Sequence, residues 1–296
     1  MISRRNLLKG LLGTSLAGLL AGLDAFVYEP LFRLRVQRWA IKSPGWGGAA
    51  TVSIAILTDL HMGAPYMTLA RLQHIVDQTN ALAADLIVVL GDLPAGHHFL
   101  TEKIAVADTG RVLGGLRAPL GVFGVLGNHD WWDDPDAQKR GAGPVLAGLA
   151  MEANGITVLE NRAVKIGAGT RAFWLAGLGD QLALLQGKHG IKGVDDLPGT
   201  LTQITDDAPV VLLAHEPDIF AKVPSRVALT LSGHTHGGQV RLFGWSPVVP
   251  SRYGNRYAYG PVEEDGHHLV VSGGIGCSIA PIRFGMPPEI TLVELA

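Results

Sequence analysis

The sequence predicts an α/β fold in which two packed sheets are flanked by helices. Residues 51–153 alternate short apolar runs with stretches of helical spacing, the pattern of βαβ units. Residues 156–295 carry shorter strand-like runs that read as more antiparallel. Several of these runs end in a brief polar block, as strands do when their loops gather at one edge of an open sheet. With 47% apolar and 17% charged residues in a chain of 296, a substantial core can be buried and disorder is excluded.

Taken in order, the chain starts with Ser3-Arg4-Arg5-Asn6-Leu7-Leu8-Lys9, followed by an uncharged Leu- and Gly-rich stretch, Gly10–Leu23. This resembles a twin-arginine export leader, implying contact with the twin-arginine export machinery and a destination in the periplasm or on the outer membrane face. Those fourteen residues fall short of the ~20 that a membrane span needs, and Asp24 interrupts any extension. No clean A-x-A cleavage site follows, so residues 1–30 can persist as an anchor, leaving 31–296 as one large domain without a Pro-, Ser- or charge-rich linker.

Phe32, Leu34 and Val36 alternate with Arg33, Arg35 and Gln37, which reads as a half-buried strand, with a basic membrane-surface segment as the rival. Thr51–Leu57, Asp85–Leu90 and Leu120–Leu126 are nearly continuous apolar runs, expected as strands buried on both faces. Helices are expected over 67–82, near 101–117 and from Pro135 to Ala153, the last with proline in its first turn. Shorter strands follow near 156–159, 163–166 and 172–177, then a helix-rich excursion at 180–204. Strands at Val210–Leu213 and Val227–Leu231, a hairpin across 257–272 turning at Glu264-Asp265-Gly266, and a closing strand Glu289–Leu295 complete the chain.

The chemistry sits in five blocks: TDLH at 58–61, GD at 91–92, GNHD at 127–130, AH at 214–215 and GHTH at 233–236. They collect Asp59, His61, Asp92, Asn128, His215, His234 and His236, the hard and borderline ligands that two divalent cations need. Each residue alone has a plainer reading, as a turn, a helix cap or a surface histidine. Ionisable groups gathered at buried strand ends without a cation would be costly, however, and all five blocks fall at such ends. In this arrangement Asp59, His61 and His236 hold one ion, Asn128, His215 and His234 the other, and Asp92 bridges them. An extended backbone would send His234 and His236 the same way, so a turn after Leu231 is expected to face them to different ions, with Gly233 permitting close approach. Two ions roughly 3.5–4 Å apart acidify a shared water and stabilise the attacking and leaving oxygens of an in-line displacement, so the nucleophile is a bridging hydroxide. His129 is the expected general acid, with Asp130 holding its ring. Arg252 and Arg256 are candidate contacts for substrate phosphate, and His97 and His98 are close enough to Asp92 in sequence to border the pocket. Cys277 is alone, so no disulfide or thiolate site forms, and it reads as a small buried residue.

GNHD and GHTH are the specific blocks, and their order resembles the calcineurin-like metallophosphoesterase superfamily over most of 51–240. GHTHGGQ, SRYGNRYAYG and GGIGCSIAPIRFGMPPEI further resemble a bacterial exported or membrane-associated branch. The resemblance implies a four-layer α/β/β/α sandwich of two mixed sheets, two divalent metals of the Mn, Fe or Zn type, and the ligand set above. A phosphodiester substrate, lipid- or envelope-linked, is expected. The alternatives are a membrane-lipid pyrophosphatase such as UDP-2,3-diacylglucosamine hydrolase, and a non-catalytic metal-dependent binding protein. The net charge of −2 gives no reason to expect sequence-specific nucleic-acid binding.

Overall fold

The computed structural model describes residues 3–169 and 172–296, so positions 1 and 2 of the expected leader lie outside the described residues. Twelve strands build the two large sheets: β1 (Arg35–Ile41), β2 (Val52–Leu57), β3 (Leu86–Val89), β4 (Val122–Gly124), β5 (Thr157–Val158), β6 (Arg162–Ile166), β7 (Phe173–Gly177), β8 (Val210–Leu213), β9 (Leu229–Ser232), β10 (Gly260–Glu264), β11 (His267–Val271) and β12 (Glu289–Leu295). The first sheet runs β1-β12-β2-β3-β4-β5 and the second β10-β11-β9-β8-β7-β6.

Alternation along single strands explains the layering. In β2, Ile54 and Ile56 enter the core between the sheets with Val211, Leu213, Leu229 and Leu231 of the second sheet. The intervening Ala55 and Leu57 face outward onto Leu72, Ile75 and Val76 of the helix Leu69–Ala81 and onto Leu113 and Met151. Outside the second sheet, Val210 and Leu212 pack under Ile219, Phe220 and Tyr257. The result is the four-layer sandwich, whose fourth layer is thin: it consists of the helix Leu197–Leu201 and short 3-10 turns.

Several expectations need correction. The second sheet is parallel at its centre, through β7, β8, β9 and β11, and antiparallel at both edges. The helix expected from Pro135 to Ala153 is two helices, Pro135–Arg140 and Leu146–Glu152, because Gly141 takes φ 66° and Pro144 has no amide hydrogen to continue the ladder. The excursion at 180–204 is mostly hairpin and turn, broken by Gly187 and Gly190 at positive φ. The expected helix near 101–117 narrows to Val106–Leu113. At the other end, Asp24 does not stop the first helix. Arg4–Leu23 continues through a π-type turn into Glu29–Phe32, a 29-residue run long and apolar enough to cross a membrane by length and composition.

The first strand begins at Arg35, not Phe32, and its inward face starts polar: Arg35 and Gln37 are half-buried ahead of Trp39 and buried Ile41, while Val36 is exposed. The cause is Glu289 on the parallel neighbour β12, fully buried. Its Oε2 accepts hydrogen bonds from Arg35 Nε (3.1 Å), Arg35 Nη2 (2.7 Å) and the Tyr259 hydroxyl (2.9 Å). Its Oε1 accepts from the Gly273 amide (3.0 Å) and the Thr291 hydroxyl (2.9 Å). Glu289→Ala therefore strands a cation and a backbone amide together, and a loss of roughly 3 kcal/mol in urea unfolding is expected. Glu289→Gln, which keeps an acceptor oxygen, costs less.

Candidate metal centre

All seven predicted ligands lie at the carboxyl ends of parallel strands: Asp59 and His61 beyond β2, Asp92 beyond β3, Asn128 beyond β4, His215 beyond β8, and His234 and His236 beyond β9. Both sheets thus deliver side chains to one edge of the sandwich, and every one of the seven is buried. Five of them have left-handed backbone, with φ of 54° at Asp59, 44° at His61, 57° at Asp92, 68° at His234 and 51° at His236. Such conformations cost a residue with a side chain about 1 kcal/mol or more each. Spending that at five positions of one cluster marks a site held for its geometry. The turn expected after Leu231 is present: Thr235 is helical between left-handed His234 and His236. Gly233 is required there, since a Cβ would stand 2.1 Å from Thr58 Oγ1 and 2.7 Å from Asp59 Oδ2.

The donor set divides into two overlapping groups. His236 Nε2 stands 3.4 Å from Asp59 Oδ1 and 3.0 Å from His61 Nε2. His234 Nδ1 is 3.0 Å from Asn128 Oδ1. Between the groups, Asp92 Oδ2 is 3.6 Å from His61 Nε2 and 3.3 Å from His215 Nε2, so one carboxylate oxygen is shared. Asp59, His61 and His236 form one candidate ligand group, and Asp92, His215 and His234 another.

Backbone carbonyls set two tautomers. The Nδ1 of His61 faces the Pro94 carbonyl at 3.1 Å, and that of His215 faces the Leu90 carbonyl at 2.5 Å. A carbonyl only accepts, so each Nδ1 carries a proton and each Nε2 is the nitrogen turned toward Asp92. Among the described residues, the buried His215 Nε2 has no hydrogen-bond partner. Burial lowers the His215 pKa, but the facing Asp92 carboxylate outweighs it and raises the pKa well above the ordinary value, so positive charge is favoured between these groups and the set fits divalent metal. The electrostatics agree. Burial, reinforced by the neighbouring His129, pushes the His61 pKa down to about 3 and keeps the ring neutral. Burial favours protonation of Asp92, but the imidazoles of His215, His129 and His61 outweigh it and hold the carboxyl well below the usual range.

The remaining candidates divide. His129 is half-buried in the wall of a cavity of about 600 Å³ that also exposes Asp92, Asn128, His234 and His236, with His97, His98 and Trp132 among its lining. Asp130 does not hold the His129 ring. Its carboxylate accepts from the amides of Asp92 (2.9 Å), Leu93 (2.9 Å) and Gly127 (2.8 Å), tying the GD and GNHD loops together. The group beside His129 Nε2 is the Ser278 hydroxyl at 3.4 Å. Arg252 lines a smaller pocket next to His234, its Nε 3.2 Å from Asp218 Oδ2. Arg256 is not brought to the site: it is committed to a bidentate pair with Glu264, both bonds 2.7 Å. Cys277 is buried, as expected.

Two features escaped the sequence reading. Arg283 is completely buried beside His236, donating from Nε and Nη2 to the Gly276 carbonyl, from Nη1 to those of Gly273 and Met286, and from Nη2 to His236 Nδ1 at 3.2 Å. Its only signal in the sequence is a lone charge in the apolar segment SIAPIRFG. Asp180 and Glu216 are buried together behind the site, and among the described residues Asp180 Oδ2 and Glu216 Oε1 lack partners. Burial and the adjacent Glu216 carboxyl raise the Asp180 pKa well above its ordinary value. The folded state then binds a proton that the unfolded chain has released, so stability falls as pH rises from the unfolded value toward the folded one. Asp180→Asn is expected to match the wild-type melting temperature in mild acid and exceed it at pH 8.5. An equal gain at both pH values would assign the effect to packing.

Residues 52–238 match the family described as calcineurin-like phosphoesterase. Over 99% of its length the chain is 32% identical to the uncharacterized metallophosphoesterase YkuE of Bacillus subtilis, of which 98% is covered. It is 29% identical to the phosphodiesterase YaeI of Escherichia coli, with both chains covered in full. A transmembrane protein with metallophosphoesterase domain from Danio rerio is 29% identical over 82% of this chain and 52% of its own. The chain belongs to the calcineurin-like phosphoesterase family and is a metal-dependent phosphoric ester hydrolase.

Proposed function

We propose that this family member hydrolyses phosphodiesters at a dinuclear centre, with Asp59, His61 and His236 on one ion, Asn128, His215 and His234 on the other, and Asp92 between them. The observation that carries this is the convergence of the His61 and His215 Nε2 atoms, each ring held by a backbone carbonyl at Nδ1, on the shared Asp92 Oδ2. When bound, a divalent pair of Mn, Fe or Zn supplies a water ionised near neutral pH and positive charge for in-line displacement. The protein's own residues do the rest. Asp130 accepts from the Asp92 backbone amide and holds its loop, and the His129 amide fixes the Asp92 carboxylate by donating to Oδ1 at 2.8 Å. The Thr58 hydroxyl (2.9 Å) and the His234 amide (3.0 Å) orient Asp59. His129, on the cavity wall, protonates the leaving oxygen, and Arg252, which lines the neighbouring pocket with His234 and pairs with Asp218, is the candidate guanidinium for a bound phosphate.

The apolar part of the cavity wall, with Val240, Val248, Ile279 and Ile282, favours substrates carrying an apolar moiety, including lipid pyrophosphates. Residues 1–30 act as a twin-arginine leader retained as an anchor, and residues 31–296 as the catalytic domain on the outer membrane face.

The test uses full-length protein. Chelation should abolish hydrolysis of a bis-aryl phosphate, Mn should restore it, and metal analysis should return two ions per chain. One ion per chain would refute the dinuclear centre. Tight binding of phosphorylated ligands without turnover under Mn, Fe or Zn would make the chain a binding protein.

A further inference from the structure

The apolar wall of the cavity continues onto the surface, and the chain ties that surface to the N-terminal helix. The segment 278–286 forms one side of the cavity through Ser278, Ile279, Ala280 and Ile282. Just beyond, it meets the helix: the Arg283 amide donates to the Ala25 carbonyl at 2.9 Å, and the Glu29 carboxylate accepts from the amides of Gly285 (3.1 Å) and Met286 (2.6 Å). Glu29 is only 1% exposed, so the helix base is pinned to the body of the protein at a fixed direction.

The same segment carries a second outgrowth. Arg241 donates its amide to the Phe284 carbonyl (2.8 Å) and Phe284 to that of Gln239 (2.9 Å), while the Gln239 side chain donates to the Ala280 and Ile282 carbonyls. From this seam the tight turn 242–245, closed by reciprocal bonds between Leu242 and Trp245, projects into solvent. Leu242 and Trp245 are about half exposed and Phe243 is fully exposed, with Val248 and Ile279 exposed at the mouth of the cavity. At the helix base, Phe26, Tyr28 and Phe32 are exposed as well. A soluble surface rarely keeps so much contiguous apolar area open.

We propose that the turn 242–245, with Val248 and Ile279 at the cavity mouth, is a bilayer-docking surface that seats the mouth of the metal centre against the membrane crossed by the N-terminal helix. Three features select a lipid surface as the occupant. The patch is continuous through backbone hydrogen bonds with a helix long enough to span a bilayer. It offers Trp245 and Tyr28, the side chains that settle at the interface because one end is apolar and the other polar. Arg33, half exposed one turn from the pinned Glu29, suits the anionic headgroup layer. A phosphoester whose apolar part stays in the bilayer then reaches the metals without leaving it. The docking surface itself does not depend on the hydrolytic reading.

The full chain is reconstituted into phosphatidylglycerol/phosphatidylcholine vesicles in which the lipids carry bromine near the headgroup end of the acyl chain. Brominated lipid should quench tryptophan emission in the wild type, and Trp245→Phe should remove most of that quenched component, because of the six tryptophans Trp46 and Trp131 are buried, Trp39, Trp132 and Trp174 are half-buried and Trp245 is the exposed one. Identical quenching in wild type and Trp245→Phe would overturn the proposal. So would loss of quenching together with dimers that form through this face, which would assign it to a second copy. In parallel, Phe243→Asp/Trp245→Asp should lower hydrolysis of a vesicle-borne lipid phosphodiester by roughly tenfold or more while leaving a soluble bis-aryl phosphate unaffected. An equal fall on both substrates would place the turn in the catalytic structure and refute docking. A wild type that quenches yet hydrolyses neither ester would refute the hydrolase reading and leave the docking surface standing.

Discussion

Asp92→Asn is expected to lower phosphodiester hydrolysis by roughly 10³-fold and to bring metal content below two ions per chain. The substitution is isosteric, and an amide oxygen can still accept from the His129 amide as Oδ1 does now at 2.8 Å. What disappears is the anionic oxygen that faces the Nε2 atoms of both His61 and His215, replaced by a neutral amide nitrogen that cannot bind a cation. This yields a readout besides activity. The metal-free melting temperature of each protein sets the baseline from which its gain on adding metal is read. With Mn added, the wild type should gain stability by preferential binding to the folded state, and the variant should gain little. A variant that gains as much stability from Mn as the wild type would overturn the bridging assignment.

The clustering of the seven candidate ligands was legible because its parts are local. Each of the five blocks follows an apolar run closely, so the end of the strand and the ligand it delivers are read from one short stretch. The closing strand Glu289–Leu295 was legible for the same reason. What escaped depends on partners distant in sequence. The alternation of Phe32, Leu34 and Val36 announces an inward apolar face, but the buried Glu289, 254 positions away, turns Arg35 inward instead. Asp130 looks like a partner for the adjacent His129, yet three amides across two loops claim its carboxylate. Arg256 sits in a loop crowded with plausible substrate contacts and is taken by Glu264 across its own hairpin. Short range misled as well where glycine decides: helical spacing continues across Gly141, but its left-handed backbone ends the helix.

His129→Ala should reveal its role through the leaving group. A general acid contributes about 10²–10⁴-fold when the departing oxygen needs a proton. For a phosphodiester with an alkyl leaving group, the variant should lose activity on that scale. For an aryl ester whose phenolate departs unprotonated, the loss should shrink to a few-fold. The geometry makes this test specific. His129 stands edge-on to His61 with ring centroids 4.9 Å apart and tilted against Trp132 at 5.2 Å, so truncation removes packing as well as an acid. Packing losses would disturb the metals and depress both substrates equally, whereas loss of a proton donor separates them. Asp130 supplies the contrast. If it held the His129 ring, Asp130→Asn would reproduce the same dependence on leaving group. Because it ties the Asp92 loop instead, the variant should weaken metal binding and lower the two activities in parallel, with excess Mn restoring both.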